Sequence, residues 1–466
     1  MAERMAAEPE LDAALAWFVK NRRLAGAAAG VLCEDDAAWS AGAGFADLAC
    51  GAMTDSATVY RIASITKTFT GTAVLQLRDA GLLDLDEPAA GYIPEMRHAA
   101  AAEAKIELMT IRRMLAHASG LASEPPGTDW TIPVYEGLAA STLRQPGAVA
   151  TRIPPGQHPK YSNLAYQLLG EVITRASGTA YVDYVQEGIL LPLGMNATGF
   201  DASGDGLASR RATGYAPRAF SDELDVASAA PRLWAEGGLW SCVDDLLTWV
   251  SAQLGAYRRA PSPGPVVLSA ASLREMHAPR YLEGDDWTRA WGLSWCAVRQ
   301  GVTVWIQHSG RLPGFSTAVC FNPESQIGAV ALINGSAEAA DLAMELASIA
   351  FRGARARPPR IRLPEPTPGP FRPLLGLYSR AGHSLVIRLE WRDGMLTFIN
   401  PEEPWWRPTL LPTGDPCVFT VGPGYRESGE RVTFRELPDG RIDEVFLADA
   451  TWGRLEHVTP AEDSLA

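Results

Sequence analysis

Ser64-Ile65-Thr66-Lys67, with the run that follows it to Ala80 and Gly81, is the stretch on which the reading of this 466-residue chain turns. Ile65 to Ala80 reads as a helix closed by Gly81. Ser64 then stands where the helix begins. Residues three apart share a helix face, so the Lys67 amine can reach the Ser64 hydroxyl. The helix start carries positive partial charge. That field and partial burial both disfavour an ammonium, so Lys67 can serve as a neutral base. A serine beside an amine base suits nucleophilic catalysis. Taken alone, the same four residues read more readily as an N-cap serine followed by a surface lysine.

Lys67 is one of only four lysines, with Lys20, Lys105 and Lys160, against 37 arginines. Codon bias in a GC-rich genome accounts for most of that skew. Arginine does not release its proton, so the chain holds few amines able to act as bases.

Two further elements lie downstream. Tyr161-Ser162-Asn163 follows Pro154-Pro155-Gly156 and leads into a helix. It reads either as a buried tyrosine beside an asparagine cap, or as a phenol that relays a proton and an amide that holds a polar group of the substrate. His308-Ser309-Gly310 falls at the predicted end of a strand, and reads either as a turn with a packed histidine or as a wall of a site.

The ordered set is more specific than its members. Ser-x-x-Lys, then Tyr-x-Asn, then a [Lys/His]-[Ser/Thr]-Gly triplet resembles the serine β-lactamase and penicillin-binding-protein superfamily. The likeness is to its class C β-lactamase-like branch, which holds esterases, D-aminopeptidases and related serine hydrolases. It covers roughly residues 10–352 and takes in Leu115-Ala-His-Ala-Ser-Gly-Leu121, Pro192-Leu-Gly-Met195, Gly237-Gly238-Leu239 and Pro313-Gly314-Phe315. The resemblance implies Ser64 as nucleophile, Lys67 as its base, Tyr161 as proton shuttle and Asn163 as a substrate-binding amide. His308 would belong to the catalytic set, and Ser309 and Gly310 would bind substrate. The backbone N–H groups of Ser64 and Arg311 would form an oxyanion hole. His308 stands where dedicated β-lactamases of this kind usually carry lysine. An unperturbed imidazole is mostly neutral at pH 7, which favours esters, amides or thioesters over β-lactams.

The expected fold class is α+β for residues 1–356, with an antiparallel sheet flanked by helices and a helical subdomain. Val302–His308, Ser316–Phe321 and Ile327–Ile333 read as adjacent strands, and Ala337 to Phe351 as a closing helix. A proline-rich linker is expected over 357–370. Residues 371–466, with alternating Ile387, Leu389 and Trp391 and Asp-Gly turns at 393–394 and 439–440, read as a small antiparallel barrel. That region resembles the lipocalin-like β-domains appended to some peptidases and peptide-cyclising members, where such a domain would wall the cleft.

The net charge of −13 argues against nucleic acid as a partner. The arginine run at 352–362 lacks interleaved aromatics and reads as a solvated linker. Neither a signal peptide nor 18 consecutive apolar residues is found, so the expected setting is cytoplasmic, with no membrane partner. The six cysteines are sparse, without metal spacing, and there is no P-loop, Rossmann glycine pattern or HExxH. No cofactor or metal is expected; the partner is a small ester, amide or peptide.

The expected activity is that of a serine hydrolase, an esterase or D-aminopeptidase-like enzyme. Alternatives are a peptide-cyclising acyltransferase, a low-efficiency β-lactamase and an inactive ligand-binding homologue. A rival nucleophile, Ser316 in Gly314-Phe315-Ser316-Thr317-Ala318 with His383 and His457 downstream, fails because β-type residues follow it where an elbow needs a helix. Trp240 and Trp249 read as core, and His117 as a helix-end cap or packed histidine.

Overall fold

In this computed structural model the described residues are 7–33, 36–101, 104–124, 143–144, 147–204, 207–217, 223–227, 234–258, 266–356, 367–380, 386–392, 394–400, 407–422, 429–447 and 450–455. The chain divides into two units, Met1–Arg357 and Pro358–Ala466.

The strands of the first unit are β1 (Gly26–Cys33), β2 (Asp36–Asp47), β3 (Ala52–Met53), β4 (Tyr60–Arg61), β5 (Tyr215–Pro217), β6 (Leu224–Val226), β7 (Trp240–Ser241), β8 (Tyr281–Leu282), β9 (Arg289–Trp291), β10 (Cys296–Gln300), β11 (Thr303–Leu312), β12 (Phe315–Asn322) and β13 (Ile327–Ile333). Nine of them form one sheet in the order β3-β2-β1-β13-β12-β11-β10-β9-β8. Every pairing is antiparallel, with Ala27 opposite Ile333 and His308 opposite Val319. β4 pairs with β7, and β5 with β6.

Both faces of the sheet are covered, so its central strands are apolar or small throughout rather than alternating. On one face Ala27, Ala29 and Val31 pack with Leu11 and Leu15 of α1 (Glu8–Asn21) and with Leu342 and Leu346 of the long C-terminal helix, Ala339–Ala356. On the other, Ala28 and Leu32 join a larger core with Phe69 of α2 (Thr66–Asp79) and Leu246 of the helix Val243–Leu254. Glycine is required in β1 at Gly30: a Cβ there would stand 2.6 Å from Cγ1 of Val243. The helical part includes α3 (Ile111–Leu115) and α4 (Asn163–Ser177), followed by α5 (Val243–Leu254) and α6 (Ala339–Ala356). Thr110 caps α3, and Gly178, at φ +73°, ends α4. Trp249 is core: it stacks on Phe69 at 4.0 Å and its indole N–H donates to Thr68. All six cysteines are free thiols.

Two local expectations need correction. Ser64 lies within a 3-10 turn, Ala63–Ile65, and α2 proper begins at Thr66. The His308-Ser309-Gly310 triplet lies inside β11, which runs on to Leu312 because Pro313-Gly314 supplies the turn there, with Gly314 at φ +78°.

The second unit holds β14 (Gly376–Arg380), β15 (Val386–Arg392), β16 (Met395–Ile399), β17 (Thr409–Pro412), β18 (Val418–Val421), β19 (Arg431–Glu436), β20 (Ile442–Leu447) and β21 (Ala450–Arg454). They close into an eight-stranded antiparallel barrel. Closure removes the exposed strand edges of a small sheet. Ile387 and Leu389 point inward with Phe398, Phe434 and Trp452, whereas Trp391 is only partly buried and stacks on Phe371. Most of the expected linker, residues 357–366, lies outside the described residues. No helix among them is long and apolar enough to cross a membrane.

Candidate active site

Three distant segments meet at Ser64. The chain leaves β4 and turns sharply through Ala63, whose φ is +47°. That conformation costs a residue with a side chain about 1–2 kcal/mol. Ala63 is buried, so packing holds it there. The turn leaves Ser64 partly accessible between buried neighbours, on the wall of a cleft of about 750 Å³.

One turn on, the fully buried Lys67 donates at 3.1 Å to Ser64 Oγ and at 2.5 Å to the main-chain carbonyl of Glu236. Its amine also lies 5.0 Å from the Tyr161 ring centroid and 5.4 Å from that of Tyr166. Burial pulls Lys67 well below the usual lysine range, although the charges of Glu236 and Glu124 pull the other way. The Tyr161 hydroxyl hydrogen-bonds the Ser64 side chain, and desolvation holds the phenol above its usual range. A hydroxyl held between an amine of reduced basicity and a phenol can be deprotonated and then become acylated.

Local folding explains how Tyr161 and Asn163 reach the cleft. Ser162, not Asn163, caps α4: its Oγ accepts from Ala165 N–H at 3.0 Å and donates to the Ala122 carbonyl at 2.7 Å. The Asn163 side chain is thereby free to donate to Glu124 Oε1 at 2.5 Å. That assigns Asn163 Oδ1 to the other side. Oδ1 and Glu124 Oε2 are buried without a partner among the described residues. Burial pushes Glu124 up to about 7, against the Asn163 hydrogen bond and the charge of Lys67.

His117 is a packed histidine rather than a cap. It is buried at φ +54°, and its ring lies 4.1 Å from that of Tyr161. Nδ1 accepts from Ser162 N–H at 3.2 Å, so Nε2 carries the proton. Burial holds it neutral, well below the usual histidine range. Trp291 meets the His117 ring edge-on at 4.6 Å and lies 5.7 Å from that of His308.

β11 supplies the opposite wall. β10 pairs with it only as far as Gln307, opposite Cys296. From His308 to Leu312 it pairs with β12 alone, so that edge is open beside the cleft. Gly310 permits the close approach. A Cβ there would lie 2.2 Å from the Ile62 carbonyl oxygen and 3.0 Å from Cβ of Ala63. The backbone of Arg311 follows directly, while its side chain is paired with Glu338. His308 is buried, and its Nδ1 donates to the Ser309 carbonyl at 2.8 Å. Burial first, then the charge of Lys67, pushes it down to about 3. The triplet therefore presents a neutral imidazole.

All eight residues expected from the sequence fall at this one site: Ser64, Tyr161, Asn163, His308, Ser309 and Arg311 line the cleft, and Lys67 and Gly310 lie directly behind it. Glu124, Glu236 and Trp291 were missed. Glu236 directly precedes Gly237-Gly238-Leu239, the one hint available; nothing in spacing marked Glu124 or Trp291. Lys160 flanks the site through a 2.8 Å bond to Ser123 Oγ. Ser316 is excluded as a rival: it is buried in β12, where its Oγ accepts from Ala339 N–H. His383 and His457 lie outside the described residues.

The chain is similar to several known proteins. Protein flp of Staphylococcus aureus (strain N315) is 28% identical over 302 residues, which is 64% of this chain and 57% of flp. The chain thus spans little more than half the length of that curated relative. The crystal structure of SurE matches with a TM-score of 0.58 at 25% identity, over 96% of this chain and 99% of SurE. The D-amino acid amidase of Ochrobactrum anthropi SV3, solved with D-phenylalanine, has a TM-score of 0.62 at 22% identity, over 74% of this chain and all of the amidase. The Beta-lactamase family model matches residues 11–354. With the sheet, the helical part and the Ser64 cleft all inside that span, the chain belongs to the Beta-lactamase family.

Proposed function

We propose that the protein is a serine acyl hydrolase that forms an acyl-enzyme on Ser64 with small esters or amides, D-amino-acid amides and peptides foremost. The observation that carries this reading is the 3.1 Å contact between Ser64 Oγ and the buried Lys67 amine, whose surroundings favour its uncharged form. Lys67 takes the Ser64 proton as Oγ attacks the substrate carbonyl. The N–H groups of Ser64 and Arg311 stabilise the oxyanion that develops in the tetrahedral state. Tyr161, bonded to Ser64, passes the proton to the leaving group, which departs as alcohol or amine. Water then attacks the ester carbon and releases Ser64.

Neutral His308 lacks the charge that attracts a β-lactam carboxylate, so β-lactam turnover is a minor activity. Acyl transfer to an amine is the second reading. It is favoured by Glu124, a half-buried carboxyl raised to about 7 beside Asn163. That carboxyl can take the proton of an incoming ammonium. A catalytically idle binder is disfavoured by the intact set of Ser64, Lys67 and Tyr161.

The test is intact-mass spectrometry after reaction with a fluorophosphonate and with p-nitrophenyl esters. One adduct is expected, lost in Ser64→Ala; an adduct that persists in that variant overturns the assignment. Glu124→Gln should lower aminolysis relative to hydrolysis if transfer to amines is the main activity, and leave the ratio unchanged if it is not.

A further inference from the structure

A second cavity adjoins the Ser64 cleft. It measures about 190 Å³ and shares Gly335 and Ser336 with the cleft as lining. Leu24, Tyr215 and Leu224 give it an apolar wall, and Arg22 and Arg23 line it as well. No carboxylate among the described residues lines it.

This space is preformed. Asn334, fully buried, donates from Nδ2 to the carbonyls of Phe45, Ala46 and Thr213 at 3.0–3.1 Å. It ties the end of β13 to β2 and to the segment entering β5. The Tyr215 hydroxyl is held by Leu48 N–H at 2.8 Å. Glycine at 335 keeps the junction narrow: a Cβ there would come within 2.7 Å of Leu24. Arg22 lies over the Phe18 ring at 5.7 Å and forms no ion pair among the described residues.

We propose that this cavity is a distal subsite for one arm of the substrate: an extended, mostly apolar acyl or peptidyl chain ending in a carboxylate that meets Arg22. One molecule then lies across Gly335 and Ser336 with its reacting carbonyl at Ser64. The apolar wall takes the chain, and the guanidinium takes the charge. The inference rests on reading the Ser64 cleft as an acyl-transfer site.

The test uses full-length Ser64→Ala protein and calorimetric titration with N-(ω-carboxyacyl)-D-phenylalanine amides of four, six, eight and ten acyl carbons. Affinity should climb about fourfold for each methylene that enters the distal slot. It should fall about tenfold when the carboxylate is replaced by carboxamide, or when Arg22→Glu is introduced. Leu224→Trp, which fills the slot, should level the series. A flat series in the parent, or a rise that both variants leave intact, overturns the proposal. In the Ser64 background both variants should keep small-ester acylation within about twofold, since Arg22 and Leu224 line only the distal cavity. Loss of the Ser64 adduct itself would defeat the acyl-transfer reading and leave the binding series to stand or fall by itself.

Discussion

Lys67 is bonded more closely to the main-chain carbonyl of Glu236, at 2.5 Å, than to the Ser64 hydroxyl, at 3.1 Å. The carbonyl fixes the amine, and the Glu236 carboxyl of the same residue adds a field that opposes the effect of burial. One residue therefore both positions the amine and offsets part of the effect of burial on its basicity.

Lys67→Arg and Lys67→Met should both lower Ser64 acylation about 10³-fold, the range removed with a positioned general base. Arginine keeps its proton and methionine has none to exchange. Stopped-flow release of p-nitrophenol measures this. Acylation by Lys67→Arg near the parent rate would refute the base role.

Buried histidines should each weaken the first unit in acid. His117, His277 and His308 are buried, and burial holds all three below the ordinary histidine value of 6.5, the last two at about 3. The unfolded chain takes protons at these positions below pH 6.5, and the folded chain does not. Their contribution is therefore complete above 6.5 and is lost as the pH falls toward 3. Glu124, raised to about 7, acts in the opposite sense between 7 and 4.5. Glu236 and Asp245, also raised by burial, act in the same sense as Glu124, but His277 contributes a drop of its own in melting temperature between pH 6.5 and 5. His277→Gln, which lies away from the cleft against Tyr257 and Gln253, should flatten that drop. Parallel pH profiles for the parent and His277→Gln would contradict the account.

Gly310→Ala is the smallest change that should disable the site. Its methyl group would meet the Ile62 carbonyl at 2.2 Å and push β11 away from the Ser64 turn. Displacement by about an ångström is enough for about a 10²-fold loss of acylation. Gly301→Ala, in the exposed turn at φ +62° with nothing near, is the control for backbone strain alone. Equal rates for the two variants would show that the close approach is unimportant.

Truncation after Arg357 leaves a unit with its own cores. That fragment should fold and keep acylation by a small ester within about an order of magnitude. Its preference among p-nitrophenyl esters and D- and L-aminoacyl anilides should change more than that rate does. An unchanged preference would leave the barrel a purely structural role.

The readable part of the site was the part with local periodicity. Ser64 and Lys67 stand three apart at a helix start, and Tyr161 and Asn163 open another helix; each pair alone was ambiguous, and the ordered set of motifs joined them into one site. The strands Thr303–Leu312, Phe315–Asn322 and Ile327–Ile333 are short, apolar and separated by turns, which is why their adjacency could be read. Glu124 and Glu236 escaped because a buried acid looks like a surface acid until its neighbours are known. Trp291 escaped for a similar reason: its contacts with His117 and His308 come from β9, which was not foreseen as a strand. The triplet was misplaced within its strand because the feature that matters is where β10 stops pairing, and pairing is a tertiary property.

Strand β13 sits between β1 and β12, with Ala27 opposite Ile333. Consider a nascent chain that has emerged only as far as Leu268. It already carries Ser64, Lys67, Tyr161 and Glu236, but has no β11 and no partner for the inner edge of β1. Contacts this remote in sequence close late. The reactive serine is thus made early and armed last, when synthesis of the first unit is nearly complete.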